Sequence, residues 1–70
     1  MFNENILKGQ WKQLKGTLRD KWGELTGDDV TEIDGEQERL VGKIQERYGK
    51  TQEEARAEVN EWLGQVRDRA

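Results

Sequence analysis

The side chains of this chain that can do acid–base or binding chemistry are carboxylates and the cations of lysine and arginine. Fifteen Asp plus Glu accompany twelve Lys plus Arg, while Cys, His and Ser are absent. The usual nucleophiles and the one side chain that titrates near neutral pH are therefore missing. This composition argues against most hydrolase and transferase mechanisms, against thiolate chemistry and against zinc sites. We predict no catalytic residue.

The carboxylates are concentrated in one stretch without any basic residue. Its members are Glu24, Asp28, Asp29, Glu32, Asp34, Glu36 and Glu38. Acid–base catalysis by two carboxylates needs a cleft that separates their pKa values, and a chain of seventy residues has little room for one. An EF-hand aligned on Asp34-Gly35 would place Val30 and Val41 at its first and last ligand positions. Because valine side chains cannot bind calcium, the EF-hand pattern fails. We therefore expect no metal site, no cofactor and no small-molecule substrate.

Basic side chains recur at helical spacing in two segments. The candidate binding residues are Lys8, Lys12, Lys15 and Arg19 in the first segment and Arg39, Lys43 and Arg47 in the second. Because like charges at i,i+4 repel each other, an opposite charge should compensate them. Either the acidic stretch neutralises them, or they are simply solvated faces, or they bind an external polyanion, which would be nucleic-acid phosphate or anionic lipid headgroups. Neutralisation or solvation is favoured because no exposed aromatic set for base stacking is evident and the acidic stretch would repel phosphate.

Apolar residues at spacings of three and four predict an all-α protein. The stripes are Leu7, Trp11, Leu14, Leu18 and Trp22 in a first helix, Val30 and Ile33 in a short second, Leu40, Val41, Ile44 and Tyr48 in a third, and Ala55, Val59, Trp62 and Val66 in a fourth. We predict the first helix over residues 10–22, and Gly23 is placed to end it. Thr26 and Thr51 begin capping boxes, and Gly49 ends the third helix. The tryptophans are interpreted as core residues, with Tyr48 partly exposed.

The third predicted helix repeats the pattern of the first after twenty-six residues, as L-x-G-x-(L/I)-x-x-x-(W/Y)-G. Gly16 and Gly42 hold the same position in the two copies. One interpretation is that these glycines allow close backbone approach, including that of the two helices to each other. The other is that they open a ligand groove.

The chain length predicts one domain over residues 10–70, preceded by a frayed segment 1–9. No apolar run is long enough for a transmembrane segment or a signal peptide, and neither end carries a lipidation motif, so the default location is the cytoplasm. The oligomeric state stays open. The spare apolar residues Phe2, Ile6, Leu7 and Leu63 leave room for self-association but form no heptad seam.

These segments resemble the CsbD-like family of small bacterial stress-response proteins. The resemblance is carried by residues 11–16 (WKQLKG), 22–26 (WGELT) with Asp28-Asp29, Gly35, 40–49 (LVGKIQERYG) and Glu54-Ala55, so it covers about residues 10–60. It implies a small orthogonal bundle of four to five helices, similar in class to SAM-like domains. It also implies a bacterial cytosolic protein that becomes more abundant under general or osmotic stress, without catalytic residues.

Together the residues and the resemblance predict a non-enzymatic stress-response protein. It would act through contact with another macromolecule, including an unidentified protein partner, or through its own abundance. The alternative is binding of nucleic acid or an anionic membrane surface by the seven basic residues.

Overall fold

Five helices and short connections make up the described part of the chain. The computed structural model describes the backbone of residues 4–69 and the side chains of residues 7–66. The helices are α1 (Glu4–Gly9), α2 (Trp11–Lys21), α3 (Gly27–Ile33), α4 (Gln37–Tyr48) and α5 (Gln52–Arg69). No strand occurs over residues 4–69. The prediction of a small all-α fold with four to five helices is confirmed.

The first predicted helix is divided into two, α1 and α2. The chain leaves helical geometry at Gln10, which has φ −116° and ψ 19°, directly after Gly9. Leu7 in α1 has no exposed surface, so this short helix contributes to the core. At the other end, α2 is capped by Trp22 with φ −121°. Gly23 does not adopt a positive φ, so the expected glycine cap there is wrong.

Capping side chains begin α3 and α5 as the sequence predicts. The Thr26 hydroxyl accepts a hydrogen bond from the Asp29 backbone N–H at 3.1 Å, and Asp29 Oδ2 accepts one from the Thr26 N–H at 3.0 Å. Thr51 and Glu54 exchange the equivalent pair at 3.2 and 3.0 Å. Gly49 ends α4 with φ 65°. Local sequence signals therefore determine three of the helix ends.

One hydrophobic core joins the five helices. Trp22 and Trp62 meet edge to face in it, with ring centroids 5.2 Å apart. Trp11 packs at its edge and is only half-buried. Leu63, considered for self-association, is buried, whereas the side chains of Phe2 and Ile6 lie outside the described residues. The buried apolar residues are Leu7, Leu14, Leu18, Trp22, Leu25, Val30, Ile33, Leu40, Val41, Ile44, Ala55, Val59, Trp62 and Leu63.

Close backbone approach occurs at Gly35 and not at the two mid-helix glycines. A Cβ on Gly35 would lie 3.2 Å from the Lys8 Cα, and the residue has φ 78°. A Cβ built on Gly16 or Gly42 would meet no atom within 4 Å outside its own stretch of helix. The expected close packing at Gly16 and Gly42 is therefore wrong, because both positions face solvent.

Candidate functional site

An ion-pair cluster around Asp29 joins α3 to α4. Asp29 is 1% exposed, and its two carboxylate oxygens each accept a hydrogen bond of 2.9 Å from Arg47. The Lys43 Nζ lies 3.4 Å from Asp29 Oδ1. The Arg47 hydrogen bonds, then the Thr26 backbone N–H, hold the pKa of Asp29 well below its usual range, and burial only partly opposes them. The carboxylate is therefore ionised, and its hydrogen bonds hold the two helices together.

Further cations contact the acidic stretch beside this cluster. The Lys43 Nζ lies 2.7 Å from Glu32 Oε1, and this hydrogen bond raises the pKa of Lys43. Arg39 donates to the Glu32 backbone carbonyl at 3.1 Å. At the surface, Lys8 pairs with Glu36 at 3.2 Å. Four of the seven candidate binding residues, Arg47 included, thus contact the acidic stretch.

The other three candidate binding residues share one flank of α2. Lys12, Lys15 and Arg19 are exposed. At 3.6 residues per turn they fall within an arc of about 60°. No ion pair joins them to another residue among the side chains that the structure describes. We call these three residues the α2 basic flank.

Two residues of this flank line a groove between α2 and α3. The groove has a volume of about 360 Å³, and its lining residues are Trp11, Lys12, Lys15, Val30, Thr31 and Asp34. Trp11 differs from the other two tryptophans because part of its side chain stays exposed. The groove therefore combines an aromatic ring and two ammonium groups with a hydroxyl and a carboxylate. We call it the Trp11 groove.

A second cavity, of about 670 Å³, lies between α3 and α4. Of its two cations, Lys43 pairs with the Glu32 carboxylate, whereas Arg39 donates only to the Glu32 backbone carbonyl. Gly42 lines this cavity, as the ligand-groove interpretation of the glycines requires, but Gly16 lines neither cavity. The two glycines therefore do not form one groove.

Polar contacts of the aromatic residues were missed by the sequence analysis. The Trp22 Nε1 donates to Glu58 Oε1 at 3.2 Å, and Lys50 pairs with the other oxygen of Glu58. The hydroxyl of half-buried Tyr48 accepts a hydrogen bond from the Glu24 backbone N–H at 3.0 Å. Buried indole and phenol groups usually need such partners. Glu58 is 36 residues from Trp22, and Glu24 is 24 residues from Tyr48, so no local sequence pattern identifies these partners.

The described acidic residues do not converge on one point. Asp29 is buried in its ion-pair cluster, whereas Asp28 beside it is exposed. In the part of the chain that the structure covers, no three His, Cys, Asp or Glu side chains are grouped to hold a metal ion. None of the helices within the described range is long and apolar enough to cross a bilayer.

Comparison with known proteins gives one consistent family. The family model described as CsbD-like matches residues 5–57. The UPF0337 protein YjbJ of Salmonella typhimurium is 50% identical over 62 residues, which cover 89% of each chain. A UPF0337 protein of Bordetella pertussis is 55% identical over 61 residues, covering 87% of this chain and 92% of its own. No solved structure is significantly similar to the chain.

Proposed function

The chain belongs to the CsbD-like family, and from this membership and the α2 basic flank we propose that it is a non-enzymatic, cytoplasmic stress-response protein that acts by contact with another macromolecule. The observation that carries the proposal is that some of its basic side chains form ion pairs and others do not. Lys43 and Arg47 of α4 form ion pairs with the acidic stretch, whereas Lys12, Lys15 and Arg19 face solvent without an ion pair among the described residues. Such a flank is available for an anionic partner.

The groups with shifted pKa values do not mark a catalytic site. Active sites usually contain such groups in a cleft. Here the pKa of Asp29 is lowered by hydrogen bonds that hold α3 to α4, and the pKa of Glu54 is lowered by the Thr51 backbone N–H at the start of α5. The raised pKa values of Lys43 and Arg47 come from their contacts with Glu32 and Asp29. All four groups have structural partners.

The contact proposal is tested by affinity capture from stressed cells. The bait is the full chain, compared with the triple variant Lys12→Gln/Lys15→Gln/Arg19→Gln. Lys21→Gln is a matched control because it removes one exposed cation from the same helix outside the flank. We expect wild type and control to retain the same macromolecule and the triple variant to lose it. Identical material on all three baits would contradict a contact through the flank.

Polyanion binding is the second candidate function, and the exposed α2 basic flank favours it. The test is titration with duplex DNA, RNA and anionic vesicles at low and raised salt. Neutralising three phosphates gives a slope of log affinity against log salt of about −3. We expect that slope for one of these ligands, and a shallower one for the triple variant. Absence of salt-sensitive binding at low ionic strength would contradict this candidate.

A further inference from the structure

We propose that the Trp11 groove binds a single nucleotide unit, with the base against Trp11 and the phosphate on Lys12 and Lys15. This inference rests on the proposed contact function of α2 and specifies its ligand. The occupant is either a free nucleotide or a nucleotide within a single strand, because both present the same ring and phosphate.

Trp11 supplies the stacking surface. Trp22 and Trp62 are 2% and 4% exposed and pack against each other in the core, so neither presents a free face. Trp11 is only half-buried, while the backbone at Gly35 packs against the root of its side chain. A Cβ on Gly35 would lie 3.4 Å from the Trp11 Cβ. Trp11 is therefore held at the base of its side chain and lines the groove, where a base can contact it.

The two lysines form a cationic wall on α2. Lys12 and Lys15 are three residues apart, one turn of helix, and both line the groove. Neither has an ion pair among the described side chains, so their mutual repulsion is not relieved within that part of the chain. A phosphate between the two ammonium groups would relieve it.

The opposite wall, on α3, presents hydrogen-bond acceptors. The Thr31 hydroxyl donates its hydrogen to the Gly27 carbonyl at 3.0 Å, so its oxygen can only accept from a ligand. The Asp34 carboxylate accepts as well, and it repels a phosphate from this side. Amino or hydroxyl groups of a base and sugar therefore fit against α3, and the phosphate is directed to the lysines on α2.

The size of the groove limits the ligand. About 360 Å³ lies at the small end of small-molecule sites, which span about 300–1,000 Å³. Intact duplex DNA keeps its bases stacked inside the helix and offers none to Trp11. A lipid phosphate headgroup has no aromatic ring that could stack on Trp11. The combination of ring, cations and acceptors thus favours one unstacked nucleotide.

Tryptophan emission of the full chain tests the proposal directly, with adenosine monophosphate and a short single-stranded oligo(dA) as probes. Inorganic phosphate, adenosine and the corresponding duplex are the comparison ligands. We expect both probes to give a saturable change in emission at low salt. Phosphate alone and duplex should leave the emission unchanged, and adenosine should bind at least 10-fold more weakly than its monophosphate.

Variants test whether the change in tryptophan emission comes from binding in the Trp11 groove. Trp11→Leu should abolish the emission change, but it also removes part of the core edge. The exposed pair Lys12→Gln/Lys15→Gln avoids that difficulty and should weaken adenosine monophosphate binding, measured by equilibrium dialysis, at least 10-fold. Lys21→Gln should bind as wild type does. Unchanged affinity in the double variant, or phosphate competing as well as the nucleotide, would overturn the proposal.

The experiments distinguish failure of the nucleotide groove from failure of the proposed contact function. Duplex or vesicle binding that needs Lys12 and Lys15 without any change in Trp11 emission would overturn the nucleotide groove and leave the contact function supported. Nucleotide binding, with identical captures by wild type and triple variant, would support the groove and overturn contact of a macromolecule with the α2 basic flank.

Discussion

Arg47 binds Asp29 through two parallel hydrogen bonds that join α4 to α3. Its Nε and Nη2 each lie 2.9 Å from one carboxylate oxygen. The same carboxylate accepts the Thr26 N–H in the capping box of α3. One buried side chain therefore begins a helix and attaches it to its neighbour. Asp29 therefore both caps α3 and bridges it to α4.

Replacing Asp29 tests that role. Asp29→Asn keeps the size of the side chain but removes the charge that Arg47 and Lys43 contact, so the free energy of unfolding should fall by about 1.5–3 kcal/mol. Urea unfolding measures the change. Asp28→Asn, an exposed neighbour in the same turn, should lower it by less than about 1 kcal/mol. Equal losses in the two variants would show that the ion-pair cluster adds nothing beyond helix polarity.

Acid should destabilise the wild type through Asp29. Its pKa is lowered in the folded chain, so below about pH 5 the unfolded chain binds more protons than the folded chain. The stabilisation is thus complete above the ordinary pKa of an aspartate and is lost as the pH falls towards the lowered one. We expect the melting temperature to drop more steeply from pH 5 to pH 2 in the wild type than in Asp29→Asn. Parallel curves would contradict this assignment.

A smaller acid sensitivity should persist in Asp29→Asn. The pKa of Glu54 is also lowered, since the Thr51 backbone N–H donates to its carboxylate. The variant Asp29→Asn/Glu54→Gln should therefore have the flattest pH profile of the three proteins.

The capping residues show how far local sequence predicts this fold. Thr26 with Asp29, and Thr51 with Glu54, act across three residues, so the pattern alone places the starts of α3 and α5. The Arg47 contact spans 18 residues and two helices, so the spacing cannot identify it. The sequence offers a basic segment and an acidic stretch, and only the helix packing decides which members meet.

The Trp11 groove also depends on contacts between helices, which sequence spacing cannot identify. Helical spacing places Lys12 and Lys15 beside the apolar stripe, but it also places Trp11 on that stripe with Trp22. Periodicity does not distinguish one stripe position from another, whereas the fold leaves Trp11 half-buried and buries Trp22 against Trp62 of α5. The groove arises from helix positions that no single segment encodes.

The mid-helix glycines offer a stability test. Gly16→Ala and Gly42→Ala should each raise the free energy of unfolding by about 0.5–1 kcal/mol, because a Cβ meets no neighbouring atom and alanine favours a helix. Chemical unfolding of each variant measures the gain. Gly35→Ala is the opposite case, since it adds a Cβ 3.2 Å from the Lys8 Cα at φ 78°, and it should destabilise. A loss of stability in Gly16→Ala would reveal a packing role for that position.

Trp22 should be essential for folding. It is 2% exposed, packs edge to face on Trp62 and donates to Glu58. Trp22→Ala should cost about 3–5 kcal/mol, enough to unfold so small a domain, which far-ultraviolet circular dichroism would show. Trp22→Phe, which keeps a ring but loses the hydrogen bond, should retain the helical signal with a lower melting temperature. A fully folded Trp22→Ala would place the residue outside the core.

Gln37 is a buried polar residue whose replacement should do no harm. Its side chain is 1% exposed, its Oε1 has no hydrogen-bond partner among the described residues, and its Nε2 lies a long 3.4 Å from Asn60 Oδ1. An unpaired buried acceptor is costly, so Gln37→Met, similar in shape, should leave stability unchanged or raise it by up to about 1 kcal/mol. Thermal melting compares it with Gln13→Met at an exposed position of α2, where no change is expected. A clear loss of stability in Gln37→Met alone would mean that the amide oxygen is hydrogen-bonded in solution.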